Sequence, residues 1–213
     1  MYFERLKRTV YSHRRFFIYY SILSLAGLYP LLSYDKVTLF RKLNALHHPL
    51  LDYLFYGMTN LGSSISYGLL MGGLWLARVP YRQLGVGFGA FAGVSLIVQI
   101  LKRLVFPDQQ RPLACLANVD QLHMVEHVRP LYELSFPSGH AATIFAAACF
   151  IHLIMPQKAR GYSLVGLLIA TLVAYSRVYL AQHFYTDIYV GSLIGVWATT
   201  AIYAGVTHVD REH

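Results

Sequence analysis

The sequence predicts an all-α, polytopic membrane protein with six transmembrane helices. The chain of 213 residues is 56% hydrophobic and only 13% charged, whereas an ordinary soluble domain is about 25% charged. Six apolar stretches approach the length of a membrane span, which is roughly 20 residues. Lysine and arginine flank these stretches, as membrane topology requires. The composition therefore excludes a soluble domain, and the net charge of +8 leaves no basic surface run for nucleic-acid binding.

The apolar stretches follow one another along the chain without an internal repeat, so residues 1–213 are predicted to form a single domain. The first contains Ser24-Leu25-Ala26, which loosely resembles a signal-peptidase site, but apolar sequence continues past it and we expect an uncleaved span. Apolar residues between Leu50 and Leu61 recur at helical spacing, which predicts a short interfacial helix between the first two spans. The predicted spans are 16–33, 62–77, 84–101, 139–155, 162–180 and 186–206.

The distribution of basic residues predicts the orientation. If the N-terminus is cytoplasmic, ten of the 18 lysines and arginines lie on that side and eight on the other. Three of the eight, Lys102, Arg111 and Arg177, are candidates for chemistry, and setting them aside leaves ten against five. We therefore expect a cell (inner) membrane protein with both termini in the cytoplasm and the 102–138 loop outside.

A first polar motif stands where the long loop enters the fourth span. Ser138 is placed to cap that helix, and the free N–H groups around Gly139 point outwards, which forms a seat for an anion. His140 follows directly. From His140 to His183 is 43 residues, enough for one span down, a short turn and one span back. Both histidines are therefore expected at the same, external, membrane face.

A second motif joins the fifth and sixth spans. His183 and Asp187 are four residues apart, so the carboxylate can bind one imidazole nitrogen and leave the other unprotonated, as a nucleophile requires. Arg177 is expected at the end of the fifth span, where its guanidinium suits phosphoryl oxygens. A third group of cations, Lys102 and Arg103 followed by Arg111, ends the third span.

Together the three groups resemble the signature of the type 2 phosphatidic acid phosphatase family, which shares its site with vanadium haloperoxidases. That signature is Lys, six residues, Arg-Pro; then Pro-Ser-Gly-His; then Ser-Arg, five residues, His, three residues, Asp. Residues 137–140 and 176–187 match the second and third elements without a gap. The first element differs from the signature, because eight residues, and not six, separate Lys102 from Arg111. Arg103 is therefore a possible substitute for Lys102. The resemblance covers roughly residues 50–205.

The resemblance implies a membrane lipid-phosphate phosphatase that needs no metal and no cofactor. In it, His183 attacks phosphorus, Asp187 orients this histidine and His140 protonates the leaving group. The implied substrates are phosphatidylglycerophosphate, phosphatidic acid, undecaprenyl diphosphate or a lipid A phosphate, and the sequence does not choose among them. The residues expected to bind the phosphoryl oxygens are Lys102, Arg111, Ser138, Gly139 and Arg177.

Other functions remain open at this stage. A phosphate-binding transporter or flippase and a catalytically inactive scaffold fit the same composition, although transporters commonly carry internal repeats. His123 and His127, four residues apart beside Glu126, resemble half of a metal site without a third ligand. The sequence leaves the oligomeric state open.

Overall fold

A computed structural model of the protein describes residues 2–116, 122–156 and 161–207. All regular structure in these ranges is helical, which confirms the predicted fold class. A 3₁₀ turn, Thr59–Gly62, precedes the fifth helix, and a π-helical turn, Leu101–Val105, extends the sixth. The helices are α1 (Tyr2–Ser12), α2 (Arg14–Ser33), α3 (Lys36–Asn44), α4 (Pro49–Met58), α5 (Ser64–Leu76), α6 (Tyr81–Ile100), α7 (Pro112–Cys115), α8 (Gly139–Ile154), α9 (Ser163–Tyr179) and α10 (Tyr185–Val206).

Six helices correspond to the six predicted spans, namely α2, α5, α6, α8, α9 and α10. Within the described residues, α2, α10 and α6 with its π-helical extension are long and apolar enough to cross a membrane by themselves. The other three are apolar but contain 13, 16 and 17 residues. Each of these shorter helices has one end beside the polar site described below.

The connection between the first two spans differs from the prediction. It contains two helices, α3 and α4, where the sequence analysis expected one. Asp35 caps α3, because its Oδ1 accepts hydrogen bonds from the backbone nitrogens of Val37 and Thr38 at 3.0 Å. Pro49 is the first residue of α4, a position that suits proline because an N–H there would have no partner within the helix. The helix α1 was not predicted, and Tyr2 Oη in it donates to the carbonyl of Ala201, 3.0 Å away.

The two described ends of the chain lie at the same end of the bundle. The contact of Tyr2 with Ala201 puts the N-terminus beside the C-terminal end of α10. His13, just before α2, contacts His152 near the end of α8 at 3.2 Å. The polar site is at the opposite end. Lys158, Arg160 and Arg211, which contribute to the predicted charge bias, lie outside the described residues.

The helices α8 and α10 pack closely against each other. A Cβ atom on Gly191 would lie 2.6 Å from the carbonyl oxygen of Ser138. One on Gly195 would lie 2.9 Å from the backbone nitrogen of Ala146 and closer still to the carbonyl oxygen of Ala142. Glycines therefore permit the close backbone approach that holds the beginnings of these two helices together.

We expect the Gly195→Ala substitution to destabilise the protein by about 1–3 kcal/mol, because the new methyl group forces α8 and α10 apart. The measurement is the midpoint of thermal unfolding in detergent. Gly166→Ala in α9 is the matched control, since a Cβ there meets no atom within 4 Å. Equal unfolding midpoints for the two variants would contradict the close packing described here.

Candidate active site

One end of the bundle collects the polar residues that the sequence analysis identified. The C-terminal ends of α6 and α9 and the N-terminal ends of α8 and α10 meet there, so motifs that are distant in sequence become neighbours. His140 is half-buried beside them, and the charges of Arg177, Arg111 and Lys102 act on it. The following side chains are each less than one-tenth exposed: Lys102, Arg111, Ser138, Arg177, His183 and Asp187.

The hydrogen bonds of His183 define its tautomer. Arg111 Nη1 lies 3.2 Å from His183 Nε2. Because a guanidinium only donates, Nε2 accepts this bond and carries no proton. The proton of the neutral ring is therefore on Nδ1, which donates to Asp187 Oδ2 across 3.2 Å. This is the arrangement that leaves Nε2 free to act as a nucleophile once Arg111 turns to another acceptor.

The environment of His183 also keeps its ring neutral. Burial lowers the pKa of His183 below its usual range, and the positive charges of Arg111 and Arg177 lower it further. The hydrogen bond and negative charge of Asp187 act in the opposite direction without cancelling this effect. A lowered pKa keeps the imidazole unprotonated, and hence nucleophilic, at neutral and mildly acidic pH.

The carboxylate of Asp187 is oriented by more than its histidine. Ser135 Oγ donates to Asp187 Oδ2 across 2.5 Å, and the backbone nitrogen of Phe184 donates to the same oxygen across 3.0 Å. The carbonyl oxygen of Asp187 accepts a hydrogen bond from the backbone nitrogen of Ser138 at 2.9 Å. Asp187 therefore connects the long loop, α8 and α10.

Arg111 is fixed by backbone oxygens on two segments. Its Nε donates to the carbonyl of Glu133 at 2.7 Å, and its Nη1 donates to the carbonyl of Gln182 at 2.8 Å. These neutral acceptors position the guanidinium without neutralising it. Its charge therefore stays available for an anion beside His183.

Arg177 is held in a similar way by neutral groups. Its Nη1 donates to Thr59 Oγ1 at 2.7 Å, and its Nη2 donates to Gln182 Oε1 at 2.9 Å. Its Nε is buried and has no partner among the described residues. A buried donor without a partner is costly, so this N–H is suited to a bound oxygen.

Lys102 occupies the site, whereas Arg103 does not. The Lys102 ammonium group donates to the carbonyl oxygens of Leu134 and Ser135, the second at 3.4 Å. Arg103 is exposed and donates to Gln99 Oε1 at 3.0 Å, one turn back along α6. Both cations lie in the π-helical turn. Its i→i+5 hydrogen bonds change the angle between consecutive side chains from that of a regular α-helix.

The beginning of α8 presents the anion seat that the sequence predicts. Ser138 Oγ accepts a hydrogen bond from the backbone nitrogen of Ala141 at 3.4 Å, so it caps the helix. The backbone N–H groups of Gly139 and His140 donate to none of the described residues. They are the unsatisfied donors of a helix N-terminus and are available to an anion.

Sequence reasoning missed three residues of this site. Ser135 bonds Asp187, while Thr59 and Gln182 bond Arg177. Ser135 and Gln182 stand close to the motifs in sequence, and this proximity is the signal that points to them. Thr59 comes from the turn before α5, where nothing in the sequence connects it to the other residues.

The histidines considered for a metal site have other surroundings. His123 Nε2 lies 2.7 Å from Asp52 Oδ1, and its ring stacks on that of His47 with centroids 4.1 Å apart. His127 is exposed and lies 3.9 Å from Glu126. Among the described residues, no three histidine, cysteine or acidic side chains are placed to hold a metal ion.

Burial alone would raise the pKa of Asp52, but its hydrogen bonds from Tyr179 and His123 outweigh burial and lower it. Asp52 is therefore ionised at neutral pH. The group formed by Asp52, His123 and Tyr179 joins α4, the long loop and the end of α9.

The fold and the site together define a polytopic membrane protein with a buried histidine–aspartate pair and three buried cations at one end of its helices. Residues 83–210, more than half of the chain, match the family model of the PAP2 superfamily. The chain belongs to this superfamily, which confirms the family resemblance of its three motifs.

Known proteins resemble this chain in both sequence and fold. An undecaprenyl-diphosphatase of Sulfolobus acidocaldarius is 30% identical over 112 residues, which are 49% of this chain and 50% of that protein. The chain thus spans half the length of this relative. The crystal structure of LpxE from Aquifex aeolicus is 29% identical, with a TM-score of 0.67 over 78% of this chain and 93% of that one.

A transmembrane phosphatidylglycerolphosphate phosphatase from Bacillus subtilis shares the fold. Its crystal structure gives a TM-score of 0.66 at 22% identity and covers 95% of this chain and 100% of that one. The six-helix arrangement is thus that of an integral membrane protein.

The tautomer of His183 is testable by NMR on protein labelled with ¹⁵N at histidine. We expect Nε2 of this residue to be unprotonated at pH 7 and to remain so down to about pH 5.5, because its lowered pKa keeps the ring neutral. The signal is assigned by its loss in the His183→Gln variant. The other histidine signals in the same spectra, which persist in the variant, serve as an internal control. Titration of the assigned signal near pH 6.5, the ordinary value, would disprove the arrangement.

Proposed function

We propose that this protein is a lipid-phosphate phosphatase that works through a phosphohistidine on His183. The observation that carries the proposal is the charge of the site. Lys102, Arg111 and Arg177 contribute three positive charges and Asp187 one negative charge, so the site has a net charge of +2 with its imidazoles neutral. Buried charge without compensation is costly, and a phosphoryl dianion supplies the compensation.

In the first step, His183 Nε2 attacks phosphorus and forms an N–P bond as the bond to the leaving oxygen breaks. His140, which takes up a proton together with the phosphoryl dianion, gives this proton to that oxygen, so the leaving group departs as a neutral alcohol. Asp187 keeps the proton of His183 on Nδ1 and stabilises the positive charge that develops on the ring. The cations and the amide of Gly139 bind the equatorial oxygens of the transferring group.

In the second step, water attacks phosphorus and the N–P bond breaks. His140, now neutral, accepts a proton from this water and returns to its starting form. His183 leaves as the neutral imidazole, because Nδ1 kept its proton throughout. Inorganic phosphate is released, and atoms and charge balance over the two steps.

The setting of the site supports a lipid as the substrate. A cavity of about 380 Å³ opens between α5, α6 and α8, and His140 and Gly139 form part of its wall. All three helices are apolar, so a lipid can bring its phosphate into this cavity while its chains remain in the bilayer. We place the site at the external face and both termini in the cytoplasm, as the charge bias predicts. We also treat residues 1–213 as a single catalytic domain.

The first test is release of inorganic phosphate by the protein purified in detergent. The panel contains phosphatidylglycerophosphate, phosphatidic acid, undecaprenyl diphosphate and lipid A. We expect release from one or more lipids and a loss of at least about 1000-fold in His183→Ala, because the nucleophile is gone. Unchanged thermal unfolding shows that the variant folds. Release by the variant at wild-type rates would overturn the role of His183, whereas no release by the folded wild type would favour a phosphate-binding transporter or a scaffold.

Lys102 and Arg103, the two candidates for the lysine of the family signature, are distinguished by a paired substitution. We expect Lys102→Met to lower kcat by about 100-fold, because a buried charge beside the reacting phosphoryl group is lost. Arg103→Met should change kcat less than about threefold, since its side chain is exposed and bonded to Gln99. The measurement is phosphate release with the best lipid of the panel. The reverse order of effects would show that Arg103, and not Lys102, takes the place of the signature lysine.

A further inference from the structure

We infer that the cavity beside His140 binds the leaving group, and that this group is an uncharged alcohol with free hydroxyl groups, as in a glycerol or sugar head group. The inference rests on the proposed function and deepens it. It selects a phosphomonoester on a polyol over a polyprenyl diphosphate. It also distinguishes the polyol from an alcohol whose neighbouring oxygens are all esterified.

The position of the cavity relative to the two histidines indicates that it receives the leaving group. In phosphoryl transfer, the attacking and leaving atoms lie roughly in line on opposite sides of phosphorus. With His183 as nucleophile, the leaving oxygen points away from His183 and towards His140. The cavity is lined by His140 and Gly139 but not by His183, Arg111 or Arg177. It therefore lies on the side to which the leaving group departs.

The hydroxyl groups in the cavity wall indicate that the leaving group itself carries hydroxyl groups. Ser64 on α5, Ser95 on α6 and Thr143 on α8 all line the cavity. Within the described ranges of the chain, no other residue forms a hydrogen bond with these three hydroxyl groups. Thr143 is buried, Ser95 is half-buried and Ser64 is exposed. Hydroxyl groups that three helices contribute to one cavity are suited to the hydroxyl groups of a ligand, since each can both donate and accept a hydrogen bond.

The absence of lysine and arginine from the cavity wall indicates that the leaving group is uncharged. When a diphosphate is cleaved, the leaving group is itself a phosphate and needs cations around it. No lysine or arginine lines the cavity. Arg103 reaches only Gln99 at its edge and is exposed. The three buried cations of the site surround the transferring phosphoryl group and not the leaving group.

Thr143 is one helical turn below His140 on α8, so its hydroxyl group lies on the same helix face as the proposed acid. It is the residue best placed to bind a hydroxyl group next to the leaving oxygen. Replacement by valine preserves its shape and removes only the hydrogen-bonding group.

The experiment compares phosphatidylglycerophosphate with an analogue that lacks the free secondary hydroxyl of the head-group glycerol. Undecaprenyl diphosphate and lipid A complete the series. For the wild type, we expect the highest kcat/KM on a glycerol or sugar phosphate and at least about a tenfold preference for phosphatidylglycerophosphate over its deoxy analogue. In Thr143→Val this preference should fall to less than about threefold, because kcat/KM on phosphatidylglycerophosphate falls. The matched control is Thr199→Val, a buried threonine of α10 that does not line the cavity and whose Oγ1 has no partner among the described residues.

The outcomes separate this inference from the proposed function. Highest activity on undecaprenyl diphosphate, or equal hydrolysis of the lipid and its deoxy analogue, would overturn the polyol assignment and leave the phosphatase intact. An unchanged preference in Thr143→Val would overturn the role of the cavity. If the wild-type protein hydrolyses none of these lipids, the proposed function itself is wrong.

Discussion

The carboxylate of Asp187 is the group on which the geometry of the site depends. Its Oδ2 accepts hydrogen bonds from the ring of His183, the hydroxyl of Ser135 and the backbone of Phe184. Its carbonyl oxygen accepts the backbone N–H of Ser138. A single buried residue thus orients the ring of His183, fixes the long loop and positions the beginning of α8. Because all of these donors converge on one residue, their relative positions are coupled.

The helix packing makes this convergence possible. Glycines at 191 and 195 let α10 approach the backbone of α8 closely, so the beginnings of both helices reach the same depth. The loop before α8 supplies carbonyl oxygens that position Lys102 and Arg111 without cancelling their charge. The positive charge is therefore concentrated by neutral dipoles and is balanced only in part by Asp187. A site of this kind is prepared for an anion before the anion arrives.

The sequence was informative where chemistry is local. Hydropathy located the six spans, since a membrane helix must be apolar along its whole length. The four-residue spacing of His183 and Asp187 placed both on one helix face, and the family signature identified the same residues. It was incomplete where a backbone detail decided the outcome: the interfacial segment forms the two helices α3 and α4, and the choice between Lys102 and Arg103 stayed open, whereas the structure buries Lys102 and leaves Arg103 exposed. Neither detail has a clear signature in hydropathy.

By itself, the sequence determined the membrane class, the number of spans and the match to the second and third elements of the family signature, because these follow from composition and short-range spacing. Only the tertiary structure decided that Ser135 and Thr59 belong to the site, that Nε2 of His183 is the unprotonated nitrogen, and that a cavity with hydroxyl groups in its wall lies beside His140. These features arise from contacts between segments far apart in the chain. Their geometry is set by how the helices pack, and no local pattern of residues encodes it.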